Sequence, residues 1–201
     1  MMTKSVWILV LAAGFSKRMG EQKLLLPIGK ESLLRYVVQK AVKAQSSGVV
    51  VVLNPNFPQL FDELKNLPVY IVWNPKAHLG LGSSIQYGIQ SLPASAEAVT
   101  VLLADQPHIN LDVIKRVMKT YWDTQAPIVQ ANYLGQPGHP VLFDKSLFSE
   151  LMSLKGDRGG KDIINKYKQY QKWVYIPYIP PTDIDTYEDY QHIILEKGDE
   201  V

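Results

Sequence analysis

Short, mostly apolar runs alternate with segments of helical character along most of this chain of 201 residues. The runs occupy residues 6–11, 49–53, 69–73, 98–103 and 128–131. A run without polar alternation is typical of a strand buried on both faces of a parallel sheet. The predicted helices between and after them cover residues 33–44, 58–66, 85–92, 111–121 and 148–154. The alternation predicts an α/β fold with a mostly parallel sheet and helices on both of its faces.

The composition narrows the class of protein. A hydrophobic fraction of 46% and a charged fraction of 20% are those of an ordinary globular chain. The net charge of +2 is too mild to indicate a nucleic-acid partner, and the absence of cysteine excludes disulfides and Cys-ligated metals. The first apolar run is much shorter than the roughly 20 residues of a membrane helix. We expect one domain, residues 1–201, that is cytoplasmic and has no membrane or nucleic-acid partner.

The segment after the first run carries a glycine-bounded, cationic loop. Residues 14–20 read Gly-Phe-Ser-Lys-Arg-Met-Gly, and Lys23 follows three positions later. Glycines let the backbone approach a ligand, and the free amides of such a loop bind anions. Arg18 adds a planar guanidinium and Lys23 a mobile point charge, both expected in a solvated loop. The residues predict a grip for a triphosphate, with an ordinary surface turn as the alternative.

Common phosphate and nucleophile motifs do not describe this loop. The pattern G-x-x-x-x-G-K-[ST] fails because Glu21 and Gln22 follow Gly20, and the spacing G-x-G-x-x-G is absent. Ser16 is not a nucleophile elbow, since Arg18 stands where G-x-S-x-G needs its second glycine.

Two further segments follow predicted strands. Gly82, Ser83 and Ser84 open a predicted helix, whose free amides and hydroxyls suit a phosphate or a base edge, although serine there often only caps the helix. Asp105 follows the run at residues 98–103, just before Pro107. A carboxylate at this edge suits Mg²⁺, with an Asx-turn as the alternative.

The second half of the chain supplies the remaining candidates. Two prolines and two glycines at residues 135–140 predict a turn that presents His139 to an anionic acceptor. Asp157 lies in a glycine-rich segment and is open between a pocket role and a turn role. Pro177 predicts an edge strand at residues 173–177, and Thr186 with Asp189 predicts a capped last helix.

Residues 11–25 read L-A-A-G-x-S-x-R-M-G-x-x-K followed by L-L. This stretch resembles the signature of the molybdopterin-type nucleotidyltransferases, closest to the molybdenum cofactor cytidylyltransferases. The similarity continues through A-D-Q-P at residues 104–107 and D-I-D-T at residues 183–186, although Tyr187 stands where relatives usually have proline. The resemblance implies a single Rossmann-like three-layer domain of the nucleotide-diphospho-sugar transferase type.

The resemblance also implies roles for individual residues. Arg18 and Lys23 would be catalytic, Asp105 and Asp185 would bind Mg²⁺, and His139 and Asp157 would bind the acceptor. The nucleotide would be bound by Leu11, Ala12, Ala13, Gly14, Ser16, Gly82 and Ser83. The implied reaction moves CMP from CTP to the phosphate of molybdopterin or molybdenum cofactor and releases pyrophosphate. A molybdoenzyme of the xanthine dehydrogenase type would use the product.

Two alternatives stay open at this point. The first is a sugar- or polyol-phosphate nucleotidyltransferase, since a fold does not fix the acceptor. The second is a delivery protein that holds a molybdenum cofactor without catalysis. The preference for CTP over GTP depends on Ala13, because guanylyl-transferring relatives tend to have a second glycine at this position.

Overall fold

The computed structural model of the protein describes residues 4–198. The strands within this range are β1 (Val6–Ala12), β2 (Pro27–Ile28), β3 (Glu31–Ser32), β4 (Gly48–Leu53), β5 (Tyr70–Trp73), β6 (Ala98–Leu103), β7 (Ile128–Tyr133), β8 (Gln136–Asp144) and β9 (Lys172–Ile176).

The α-helices alternate with these strands. They are α1 (Leu33–Lys43), α2 (Leu81–Gln90), α3 (Leu111–Thr124), α4 (Phe148–Leu151), α5 (Lys161–Lys166) and α6 (Tyr187–Gly198). Short 3-10 helices occupy Lys23–Leu25, Pro58–Leu64, Ala77–Leu79, Lys145–Leu147, Gly156–Arg158 and Lys168–Tyr170. Over residues 4–198 we find no helix with the length and apolar character that crossing a membrane requires.

Seven of the strands form one sheet in the order β5-β4-β1-β6-β8-β7-β9. Strand β1 runs parallel to β4 and β6, β4 runs parallel to β5, and β7 runs parallel to β9. Strand β8 is antiparallel to both of its neighbours, β6 and β7. The prediction of a mostly parallel sheet is confirmed. Strand β9 lies at an edge of the sheet, as Pro177 directly after it predicted.

Both faces of the central strands β1, β4 and β6 are buried, which is why these strands read as mostly apolar runs. Along β1 the side chains alternate between two hydrophobic cores: Ile8 and Val10 belong to one, and Leu9 and Leu11 to the other. Helices α1, α3 and α6 contribute to the first core, and α2, α4 and α5 to the second. The predicted three-layer α/β arrangement is confirmed.

Two predicted helices are shorter or tighter than expected. The segment predicted as a helix at residues 58–66 is the 3-10 helix Pro58–Leu64. At its two ends, backbone hydrogen bonds run three residues back, from the Leu60 amide to the Phe57 carbonyl and from the Lys65 amide to the Asp62 carbonyl. The helix predicted at residues 148–154 ends as α4 at Leu151, because the amides of Ser153 and Leu154 bond three residues back. Bonds of this spacing are the tight turns that short helical pieces and helix ends adopt.

The prediction of a turn at residues 135–140 is wrong. The chain reverses at Leu134 and Gly135, which both have positive φ angles of 48° and 93°, and residues 136–144 form β8. Gly138 pairs with Ala131 and Val141 pairs with Gln130, so two extra residues of β8 stand between these pairs. His139 and Pro140 therefore form a bulge, where a strand tolerates a proline.

Side-chain caps start both α1 and α6, and the predicted cap of the last helix is confirmed. The Ser32 hydroxyl accepts a hydrogen bond from the Arg35 amide at 3.2 Å and starts α1. At the start of α6, the Asp189 carboxylate accepts from the Thr186 amide at 2.7 Å, and the Thr186 hydroxyl accepts from the Asp189 amide at 3.2 Å. This is a reciprocal capping box with aspartate in place of the usual glutamate.

Candidate functional site

A cavity of about 620 Å³ lies at the carboxyl edge of the parallel strands. Its wall is formed by the loop after β1, the segment before and at the start of α2, the residues after β6, and residues 183 and 185 near the C-terminus. Because parallel strands end at the same edge, segments that are distant in sequence meet there. This is the edge at which open α/β sheets bind their ligands.

The loop at residues 14–20 is held in shape by Gln22, whose side chain is buried. The Gln22 amide donates to the Gly14 carbonyl at 3.2 Å, and its oxygen accepts from the Ser16 hydroxyl at 2.9 Å and the Leu24 amide at 3.3 Å. Ser16 has a φ of 51° and also accepts from the Lys23 amide at 3.2 Å. The Ser16 hydroxyl therefore takes part in the internal hydrogen bonds of the loop.

Lys23 is buried, with 8% of its surface exposed, so the expectation of a solvated lysine is wrong. Its ammonium lies 2.7 Å from Asp105 Oδ2 and 3.1 Å from Asp185 Oδ1. Burial opposes the charge on Lys23, but the charges and hydrogen bonds of Asp105 and Asp185 together raise its pKa above the ordinary value. Lys23 therefore carries its full positive charge at neutral pH.

Arg18 reaches the same carboxylate from the solvent side. Its Nη2 lies 2.8 Å from Asp185 Oδ2, while 69% of its side chain is exposed. An ion pair with so exposed a partner adds little to stability, because water screens the charges. The Arg18 side chain is thus positioned at the cavity but free to exchange its partner.

A third carboxylate, Asp183, also lines the cavity. It accepts a hydrogen bond from the Gln106 amide at 2.7 Å. Burial raises its pKa, the Gln106 bond acts against this, and the negative charges of Asp105 and Asp185 raise it further. The segment is fixed beside β6 by the Ile184 amide, which donates to the Asp105 carbonyl at 3.0 Å.

The oxygens of Asp105 and Asp185 converge on one cation, the Lys23 ammonium. Carboxylate oxygens are also the ligands that Mg²⁺ prefers, together with phosphate oxygens and water. In the described range, residues 4–198, no group of three or more Asp, Glu, His or Cys side chains is arranged to hold a metal ion. The pair therefore fits a divalent cation whose remaining ligands come from a substrate or water.

Most of the predicted site residues meet in this cavity. Its wall includes Leu11, Ala12, Ala13, Gly14, Ser16, Arg18, Lys23, Asp105, Asp157 and Asp185. Asp157 also accepts from the Leu81 amide at 3.2 Å, so it both lines the cavity and anchors its own turn to the start of α2. The pocket position and the turn position that were left open for Asp157 are thus compatible with each other.

Three predicted residues of the described chain, Gly82, Ser83 and His139, lie outside the cavity wall. The Ser83 hydroxyl is buried within its own turn, 2.8 Å from the Gly80 carbonyl, and accepts from the Asn74 amide at 2.9 Å. Ser84 lines the wall instead. The turn thus uses the Ser83 hydroxyl internally, and nucleotide binding by Gly82 and Ser83 stays a prediction.

His139 lies in the β8 bulge rather than on an exposed turn. Its Nδ1 is 3.3 Å from the Val101 carbonyl. Burial lowers the pKa of His139 below its ordinary value, although the contact with Val101 acts in the opposite direction. Burial thus disfavours the charged form of the ring, and acceptor binding by His139 stays a prediction.

Sequence reasoning missed several residues of the wall. Gln22, His78 and Asp183 all line the cavity. Asp183 stands two residues before Asp185 in the same D-I-D stretch, and this spacing was an available signal. Gln22 carries no comparable signal, because its role depends on how its amide folds back across the loop.

The fold and the cavity define an α/β protein with a ligand-sized cavity at the carboxyl edge of its parallel strands. The family model described as "MobA-like NTP transferase domain" matches residues 8–171, and the chain belongs to this family. The resemblance to molybdopterin-type nucleotidyltransferases is thereby confirmed.

Individual relatives fall in the same range of similarity. "Purine catabolism protein PucB" of Bacillus subtilis (strain 168) is 27% identical over 77% of this chain and 78% of its own length. "Molybdenum cofactor cytidylyltransferase" of Escherichia coli (strain K12) is 25% identical, covering 68% and 69%. "Probable molybdenum cofactor guanylyltransferase" of Natranaerobius thermophilus is 28% identical, covering 66% and 64%.

Among solved structures, a homologue of the Mycobacterium tuberculosis protein rv0371c from mycobacterium sp. strain JC1 has the same fold. It superposes with a TM-score of 0.88 at 27% identity, over 97% of this chain and 98% of that chain. The similarity extends over both layers of helices and the whole sheet.

The protonation of His139 is directly testable. We expect its imidazole to titrate with a pKa below 6.5, because burial disfavours the charged ring. The unfolded chain then binds this proton more readily, so His139 weakens the folded state as pH falls below about 6.5. Proton NMR of the ring across pH 4.5–8 measures the pKa, with His139→Gln identifying the resonance. A pKa at or above 6.5 contradicts the burial argument.

Proposed function

We propose that this protein transfers CMP from CTP to the phosphate of an acceptor, molybdopterin or molybdenum cofactor. The observation that carries the proposal is the meeting of Arg18 and Lys23 with Asp105 and Asp185 in one cavity beside the glycine-bounded loop. An oxygen of the acceptor phosphate attacks the α-phosphorus of the triphosphate. The bond from this phosphorus to the β-phosphate bridging oxygen breaks, and pyrophosphate leaves.

In this proposal the protein's task is positioning and charge neutralisation rather than covalent catalysis. The loop at residues 14–20 receives the phosphates with its amides, and the backbone of residues 11–14 lies against the base. Arg18 and Lys23 take up the charge that builds on the departing pyrophosphate. An acceptor that is already an anionic phosphate needs no general base.

Asp105 and Asp185 would hold Mg²⁺, since their oxygens already converge on a cation. When bound, the ion would neutralise phosphate charge and orient the triphosphate for in-line attack. Asp183 remains close by, hydrogen-bonded to Gln106, and keeps residues 183–185 in register with the end of β6.

The acceptor class is supported by the relatives named for molybdenum cofactor cytidylyl and guanylyl transfer. A molybdoenzyme of the xanthine dehydrogenase type as user of the product stays a prediction. The test is a pyrophosphate-release assay of four nucleoside triphosphates against molybdopterin, molybdenum cofactor and sugar phosphates. Pyrophosphate release that requires molybdopterin or molybdenum cofactor supports the proposal. Release only with a sugar phosphate would show that the acceptor is a sugar phosphate instead. No release with any pair of nucleotide and acceptor would overturn the proposal that the protein is a nucleotidyltransferase.

Arg18→Ala and Lys23→Ala should each lower turnover by about 10²-fold or more, as expected when a transition-state charge partner is lost. Their effects on stability should differ. Lys23→Ala leaves two carboxylates without their buried cation and should cost about 1–3 kcal/mol of unfolding free energy. Arg18→Ala should cost less than about 0.5 kcal/mol, because that pair is exposed. Steady-state kinetics and urea unfolding measure both; near wild-type turnover in either variant contradicts the triphosphate grip.

Asp105→Asn should abolish metal-dependent turnover while the fold stays intact, and Asp185→Asn should act similarly but less completely. The amide keeps the shape of the side chain but removes the charge that a divalent cation needs. Asp123→Asn is the matched control, since this exposed carboxylate pairs only with Lys119 on α3 among the ion pairs of the described chain. Assays across a Mg²⁺ titration, with circular dichroism for the fold, separate the two effects. Undiminished turnover of Asp105→Asn removes that residue from the metal site.

The base preference is assigned to Ala13, which lines the cavity and is 4% exposed. Its carbonyl accepts from the Asn54 amide at 3.2 Å, which fixes the backbone there. A methyl group at this position narrows the base site and should favour CTP over GTP by about 10- to 200-fold in kcat/KM. Ala13→Gly should reduce this ratio, whereas the exposed control Ala94→Gly should not. Equal values or a GTP preference in the wild type would refute the cytidylyl assignment alone.

A further inference from the structure

The two carboxylates assigned to a metal are already bridged by an internal cation. The Lys23 ammonium lies 2.7 Å from Asp105 Oδ2 and 3.1 Å from Asp185 Oδ1, and Arg18 Nη2 lies 2.8 Å from the other oxygen of Asp185. Lys23 is the buried member of this group, whereas Arg18 is mostly exposed. The ammonium thus occupies the position between the two carboxylates that a bridging ion would take.

A divalent cation and this ammonium cannot share the pair. Mg²⁺ binds oxygen at about 2.0–2.1 Å, so an ion held by both carboxylates would stand where the Lys23 nitrogen now stands. Two cations at such a distance would also repel each other strongly in a partly buried site. Metal binding at Asp105 and Asp185 therefore requires that Lys23 leave first or leave at the same time.

The partner that can draw Lys23 away lies in the same cavity. Lys23 begins the short 3-10 helix after the loop at residues 14–20, and its side chain is part of the wall that faces the loop. A triphosphate in that loop would offer the ammonium several anionic oxygens in exchange for two carboxylates. Lysine suits such an exchange, because its charge sits on a flexible stem and needs no fixed geometry.

We propose that Lys23 closes the Asp105–Asp185 pair to divalent cations until a nucleoside triphosphate enters, so that the metal binds together with or after the nucleotide. This inference rests on the proposed function. The binding order would keep free metal out of the site until the nucleotide is present. In the nucleotide-free protein the pair is open only during the fraction of time in which Lys23 is displaced.

The size of the effect follows from that fraction. If Lys23 occupies the pair for more than nine-tenths of the time, the apparent metal affinity is reduced about 10-fold or more relative to an open pair. Removing the ammonium should restore this affinity. The probe is Mn²⁺ alone, whose free concentration is read by electron paramagnetic resonance in the absence of nucleotide.

Variants of Lys23 and Lys17 distinguish two causes of weak Mn²⁺ binding: an ammonium that occupies the carboxylate pair, and the positive charge of the loop in general. Lys23→Met and Lys23→Gln should each bind Mn²⁺ about 10-fold or more tightly than the wild type, and Lys23→Arg should bind it as weakly. Lys17→Met removes an equal charge from the same loop without vacating the carboxylates and should change the affinity less than about 2-fold. Asp105→Asn combined with Lys23→Met should lose the gain, which assigns the ion to this pair. Unchanged affinity in both Lys23→Met and Lys23→Gln overturns the proposal.

A crystal structure with a non-hydrolysable CTP analogue and no divalent metal tests the exchange itself. We expect the Lys23 nitrogen beyond hydrogen-bond distance from both carboxylates and in contact with the analogue's phosphates. A nitrogen still bridging Asp105 and Asp185 beside bound analogue overturns the proposal. Because the Mn²⁺ measurement uses no nucleotide and no turnover, its outcome is independent of pyrophosphate release, which alone decides the proposed function.

Discussion

The cavity depends on one buried charge cluster, in which the Lys23 ammonium joins the carboxylates of Asp105 and Asp185. These contacts span 82 and 162 residues of sequence, so they tie the loop after β1, the end of β6 and the C-terminal segment to one point. A sheet buried on both faces can place such groups together only where its parallel strands end. Lys23, Asp105 and Asp185 therefore each already have a partner of opposite charge, and a ligand must replace contacts that already exist.

The sequence was sufficient for the fold because both faces of the sheet are covered. Covered strands are mostly apolar, and β1, β4 and β6 show this with Thr100 of β6 as the one polar side chain among them. It failed at β8, where the prolines and glycines of residues 137–140 indicated a turn. The same residue types also suit a strand bulge, and only the pairing with β7 distinguishes the two.

Within the site, sequence reasoning located side chains at strand ends but not their directions. Asp105 and the loop cations were predicted because strand ends and glycine-bounded loops are visible in the sequence. The burial of Lys23 was not, since a lysine in a charged loop usually faces water. The side-chain directions of Ser83 and Gln22 could not be predicted either. Each side chain hydrogen-bonds within its own segment, and these partners depend on local backbone geometry.

The charge of the whole chain says nothing about the substrate, because the cavity has its own balance. The wall contains the cations Lys17, Arg18 and Lys23 and the carboxylates Asp105, Asp157, Asp183 and Asp185. Acidic groups thus outnumber basic ones where a polyanionic nucleotide is proposed to bind, although the chain carries a net charge of +2. Once Lys23 turns to the phosphates, Asp105 loses its ion-pair partner in the described chain, and Asp185 retains Arg18 alone. Under the proposed exchange, a divalent cation that enters with or after the triphosphate would restore the charge balance of both carboxylates.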